Sequence, residues 1–130
     1  MYLIDTSVWA EILLGSQIGK NAKEMLHENE CFALDITFAE LSKWCVSNNF
    51  NPHTIQDFVE RSCNGVLGAS KKGFIFAGLL WRTANNPAIK GSQAGLMDCI
   101  VAAAAHENGF VVLTKDRHFE KFESVKAEFV

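Results

Sequence analysis

The chain has 130 residues, 48% hydrophobic and 21% charged, with a formal net charge of −3. This balance excludes a disordered polymer, and no apolar run approaches the roughly 20 residues needed to cross a bilayer. The expectation is a soluble, cytoplasmic protein that folds as a single domain over residues 1–130, large enough to bury a core without staples. The opening MYLIDTS has neither a basic n-region nor a long apolar stretch, so it is not read as a signal peptide. Cys31, Cys45, Cys63 and Cys99 form no CxxC pair, which favours reduced, buried thiols over zinc or disulfides. A negative chain speaks against nucleic-acid binding. That objection weakens if four acids hold metal, because removing four negative charges from −3 leaves +1 for the rest.

In chain order, residues 2–4 are a short apolar run followed by Asp5, Thr6 and Ser7, and then by an apolar stretch ending at Gly15. This reads as strand, turn and a helix over residues 8–14. Residues 17–30 have the pattern of a surface helix with Ile18, Ala22, Met25 and Leu26 on one face. Residues 31–36 are the second strand, and a helix from Thr37 carries Phe38, Leu41, Trp44 and Cys45 inward. Asn51 and Pro52 mark the next helix start, with Gly65 as its end, and residues 66–69 are a possible short strand. A helix over residues 71–84 is expected to bury Phe74, Ile75, Gly78, Leu79 and Trp81. Residues 85–95 form a loop that brings Lys90 close before Asp98.

The stretch LMDCIVAAAAHENGFVVLTKDRHF, residues 96–119, organises the chain. An alanine-rich helix closes at Gly109, a buried strand covers residues 110–113, and a last helix candidate spans residues 117–123. Ten helical residues advance about 14 Å, and the strand returns about 13 Å, so Asp98 and Asp116 finish near one edge of the sheet. Alternating strands and helices imply a three-layer α/β/α fold around a central parallel sheet of four or five strands.

Asp5, Glu40, Asp98 and Asp116 all fall where strands end or helices begin. Each has a structural explanation: Asp5 or Thr6 as a helix cap, Thr37 with Glu40 as a capping box, Asp116 as a cap for the helix behind it. Capping does not require that all four share an edge, and in a parallel α/β fold they do. Two unit charges 4 Å apart repel by about 4 kcal/mol at an effective dielectric near 20, so convergent carboxylates need a cation or a proton. Hard oxygen ligands with no His or Cys nearby select Mg²⁺ or Mn²⁺, which can activate water for attack on a phosphodiester.

These residues carry a resemblance. LIDTSVW, ITFAEL, MDCIVAAAA and VVLTKDRHF, in this order and spacing, resemble the four acidic motifs of the PIN-domain nucleases and are most similar to the VapC-type toxins of toxin–antitoxin pairs. The resemblance implies that Asp5, Glu40, Asp98 and Asp116 are the metal ligands of an endoribonuclease acting on RNA. It implies that Thr6, Ser7 and Thr114 support these acids with hydroxyl groups. It further implies a five-stranded parallel sheet, a homodimer and a cognate antitoxin. Residues 50–95 match no more than a helical pattern. The rival readings are a structure-specific or RNA-processing nuclease of the same fold without an antitoxin, and a non-catalytic scaffold that only binds RNA or protein. A phosphoacceptor receiver domain is disfavoured, because an early acidic pair is lacking.

The two helices nearest the acids carry Trp9, Leu13, Phe38 and Trp44, more apolar surface than one core face needs. A second apolar stripe beside an acidic cleft suits an inhibitory amphipathic helix that brings in an Arg or Lys. Full burial of these aromatics, or a contact between two copies, would explain them equally well.

Overall fold

Five short parallel strands form one sheet: β1 (Tyr2–Ile4), β2 (Cys31–Leu34), β3 (Gly65–Leu67), β4 (Val111–Thr114) and β5 (Ala127–Phe129), in the spatial order β3-β2-β1-β4-β5. The computed structural model describes residues 1–86, 88 and 93–130. Lys90, expected near Asp98, lies outside them. β1 is central because both of its neighbours are needed to bury it: Leu3 and Ile4 are fully inaccessible, and such apolar runs suit strands covered on both faces.

Successive strand residues point to opposite faces, which divides the interior in two. Leu3, Leu34 and Val112 face α5 (Lys71–Ala84) and α6 (Leu96–Asn108), together with Phe119 and Phe122. Ile4, Ala33 and Leu113 face the layer that holds α1 (Thr6–Leu14), α2 (Gln17–Glu28), α3 (Thr37–Ser47) and α4 (Ile55–Ser62). The result is the expected three-layer α/β/α arrangement. Among the described residues no helix is long and apolar enough to cross a membrane. The four cysteines are free thiols, three of them buried.

Several local expectations are corrected. On α5 the buried stripe is Gly73, Ala77, Leu80 and Ala84, while Phe74, Ile75, Leu79 and Trp81 are exposed. The small residues face inward because α5 packs closely on α6, whose buried side is also alanine. Trp9 is 0% exposed and meets Phe58 edge-on, so it belongs to the core and offers nothing to a partner. Thr37 and Glu40 form no capping box: the residue before the helix, Ile36, is itself in the right-handed region, and no side chain caps α3. Gly65 opens β3 instead of ending α4, which stops at Ser62. Pro52 starts a single 3-10 turn (Pro52–Thr54) ahead of α4, and residues 117–121 form a 3-10 turn (Arg117–Lys121) where a longer helix was expected.

One glycine is set by close approach. A Cβ built on Gly19 would lie 2.1 Å from the Glu11 carbonyl oxygen and 2.8 Å from the Ile12 Cα, both backbone atoms that cannot swing aside. Gly19→Ala is therefore expected to push α2 off α1 and to destabilise the protein by roughly 3 kcal/mol, as overpacking of a tight contact does. Urea unfolding of the variant would check this, and an unchanged midpoint would refute it.

Candidate metal centre

The order β3-β2-β1-β4-β5 makes the chain step from β1 outward to β3 and then return to the other side of β1. The crevice between the carboxyl ends of β1 and β4 is thus the topological switch point, the place where open α/β sheets bind ligands. Asp5 follows β1 directly, and Asp116 lies two residues beyond β4. Glu40 and Asp98 reach the same edge from the first turns of α3 and α6.

Asp5 is only 4% exposed. Its Oδ2 accepts hydrogen bonds from the Ser7 hydroxyl at 2.6 Å and the Thr114 hydroxyl at 2.9 Å, and from the Ser7 amide at 3.4 Å. Burial still pushes its carboxyl above the ordinary range, against the pull of these donors. Asp5 caps α1 and also stands at the carboxyl end of β1, beside the crevice. Thr114 is fully buried and has three partners in this edge, since its hydroxyl also accepts the Asp116 amide at 2.9 Å and meets the Ser7 hydroxyl at 3.3 Å. Thr114→Val should leave Asp5 short of a donor and Asp116 N–H without its acceptor, costing about 1–3 kcal/mol. Chemical denaturation would measure it; a loss of under a few tenths would mean that this hydroxyl holds nothing.

Thr6 donates its hydroxyl to Glu40 at 3.1 Å. The Glu40 carboxyl is raised by burial first, then by Asp5, while Thr6 and Lys43 oppose the rise. The Asp98 carboxyl is pushed up to about 6 by burial and then by the charges of Asp5, Asp116 and Glu40. A backbone hydrogen bond from Gly95, the N-cap of α6, partly offsets this and gives Asp98 a capping share too. Asp5, Glu40 and Asp116 thus lie near enough to raise Asp98, but among the described residues the group whose ligand atoms come within 4.8 Å of one another is Asp98, Asp116 and His118, without Asp5 and Glu40. All three hydroxyls named with them touch these acids or their backbone.

One residue of the edge was not foreseen. Asp116 Oδ1 accepts the His118 amide at 2.9 Å and caps the turn Arg117–Lys121. This folds the imidazole back so that its Nδ1 lies 2.9 Å from Asp116 Oδ1 and 4.0 Å from Asp98 Oδ2. The expectation of an all-oxygen edge with no histidine nearby is corrected accordingly. The signal was present in the spacing DRH: a side chain two residues past a capping Asp, on a tight turn, returns toward the cap. Just outside the cluster, Lys115 pairs with Glu11, whose carboxyl is held below its usual range by Lys115 and then by Ser16. That pair ties the end of β4 to α1.

A three-layer α/β/α protein that gathers carboxylates at the switch point of a parallel sheet is the class that this fold and edge define. The chain belongs to the PIN domain family, whose family model matches residues 2–125. Among curated proteins no sequence relative matches. Similar solved structures include VapBC2 from Rickettsia felis bound to a DNA fragment from its promoter, at 18% identity and a TM-score of 0.75, covering 99% of this chain and 98% of that one. FitAcB from Neisseria gonorrhoeae matches at 18% identity and a TM-score of 0.74, covering 98% and 96%. VapC20 from Mycobacterium tuberculosis, a sarcin–ricin loop cleaving toxin, matches at 15% identity and a TM-score of 0.70, covering 97% and 99%.

Proposed function

We propose that the protein is a Mg²⁺- or Mn²⁺-dependent endoribonuclease, the toxin of a toxin–antitoxin pair, with Asp5, Glu40, Asp98 and Asp116 as the groups that hold the ion. PIN domains are a family of nucleases. The observation that carries the reading here is the placement of the four acids: Asp5 and Asp116 just beyond β1 and β4 at the switch point, Glu40 and Asp98 in the first turns of α3 and α6 at the same edge. Repelling carboxylates gathered at a ligand-binding edge are what a hard divalent cation offsets.

A bound ion would supply activation of water and charge stabilisation at the phosphodiester. The chain's own residues do the rest. Ser7 and Thr114 fix the Asp5 oxygen in place, and Thr6 orients Glu40, so that the carboxylates are positioned before any ion arrives. Beside them a groove lined by Thr6, Glu40, Lys43, Trp44, Ser47 and Met97 offers an ammonium for a phosphate and an aromatic face for a base, the combination that single-stranded RNA uses. The reading is tested by incubating the purified chain with labelled RNA and with DNA of the same sequence, with Mn²⁺ or Mg²⁺. Internal cuts in RNA only are expected. Cleavage of structured DNA would replace it with the structure-specific reading, and cleavage of neither would favour a scaffold.

An antitoxin is inferred from the VapBC character of the structural neighbours. Since Trp9 is buried, the docking surface beside the acids is the groove at Lys43 and Trp44, with Glu40 available to a partner's cation. A homodimer is inferred from α5, whose Phe74, Ile75, Leu79 and Trp81 leave an exposed apolar face opposite its packed one, more than isolated surface residues amount to. Leu79→Glu is expected to convert a dimer to a monomer in sedimentation. A wild-type chain that sediments as a monomer at high concentration would refute this.

A further inference from the structure

We propose that His118 is a nitrogen ligand to the ion, and that the site therefore prefers Mn²⁺ to Mg²⁺; this rests on the metal-centre reading above and adds a ligand and a selectivity to it. One ligand atom from each of Asp98, Asp116 and His118 lies within 4.8 Å of the others. A six-coordinate ion with bonds of about 2.1 Å separates adjacent ligand atoms by about 3 Å and opposite ones by about 4.2 Å. The 2.9 Å from His118 Nδ1 to Asp116 Oδ1 matches an adjacent pair, and the 4.0 Å to Asp98 Oδ2 falls within the span of one coordination sphere.

The imidazole is held in this place by the fold. Asp116 caps the turn on which His118 stands, and the next residue, Phe119, is 1% exposed and packs edge-on against Phe122. The side chain of His118 is 27% exposed, enclosed enough to be directed and open enough to admit an ion. Mn²⁺ favours oxygen too, but as a first-row transition ion it accepts an imidazole nitrogen more readily than Mg²⁺, which keeps to oxygen and water. A His118 that only orients Asp116 through a hydrogen bond would contribute no metal–nitrogen bond, and that difference can be measured.

The experiment is pulsed electron paramagnetic resonance of the full chain loaded with Mn²⁺, together with Mn²⁺ titration against excess Mg²⁺. Wild-type protein is expected to show ¹⁴N modulation from a directly bound imidazole. His118→Gln and His118→Asp should still bind Mn²⁺ but lose that modulation, and the preference for Mn²⁺ over Mg²⁺ should fall about tenfold, as ligand-shell changes do. His118→Asp supplies an oxygen in place of the nitrogen, and its unchanged circular dichroism would exclude misfolding as the cause. Mn²⁺ bound to the wild type without ¹⁴N modulation, or with modulation that persists in both variants, would overturn the role of His118 and leave the carboxylate centre standing. Failure of the wild type to bind Mn²⁺ at all would overturn both.

Discussion

Asp98→Asn is expected to reduce RNA cleavage by more than about 100-fold, since even outer-shell changes around a metal cost 10–100-fold, while making the metal-free protein more stable. The sign follows from protonation. The folded-state carboxyl lies at about 6 against a reference of 3.8, so between these values the folded chain binds more protons than the unfolded one. Its stability then falls as pH rises through that window and levels off above it. A shift of about two pH units corresponds to at most about 3 kcal/mol at neutral pH, and the side chain is only 18% exposed. Asn removes this penalty, keeps the shape, and can still accept the Gly95 amide. In EDTA at pH 7.5 the variant should melt several degrees above wild type, and at pH 4 the two should coincide. A variant that keeps wild-type turnover and melts lower would make Asp98 a helix-capping residue and nothing more.

Chelation is expected to abolish cleavage, and Mn²⁺ added back to restore it. The same carboxylates make metal affinity depend on pH. Asp5, Glu40 and Asp98 are all raised, Asp98 to about 6, and each must be ionised to hold a cation, so binding displaces protons. Affinity should climb by up to about tenfold per pH unit while the Asp98 proton is being displaced, on the acid side of its value of about 6. Calorimetry of Mn²⁺ binding in buffers of different ionisation enthalpy should show proton release at pH 5.5, where Asp98 is still largely protonated. Equal heats in all buffers at pH 5.5, or full activity in excess EDTA, would remove the carboxylates from the chemistry.

The acids of the edge were legible because strand ends and helix starts are marked locally, by apolar runs next to Asp, Thr, Ser and Gly. What escaped depended on partners far away in the chain. The inward face of α5 could not be read from size, since Gly73 and Ala77 face α6 while Ile75 and Leu79 face out; hydrophobic pattern names two stripes and the neighbour selects one. The Thr37 and Glu40 spacing fits a capping box, but the chain enters α3 already helical at Ile36, and Glu40 takes its hydrogen bond from Thr6 instead. β5 is three residues long and pairs, among the described residues, with β4 alone, too short for its alternation to stand out in the sequence. His118 was missed because its meaning lies in the turn that Asp116 caps, not in its place along the chain.

The Asp5 carboxylate is held by Thr114, a residue 109 positions later, and β1 cannot complete its pairing until β4 exists. During synthesis this has a temporal meaning. A growing chain can assemble β1, β2, β3 and the helices that join them, but its first acid then lacks both its distant hydroxyl and the strand that closes the crevice. The last carboxylate of the cluster, Asp116, emerges later still. The four-carboxylate edge is thus completed in one late event, when β4 slots in beside β1, and no shorter nascent form holds the whole cluster.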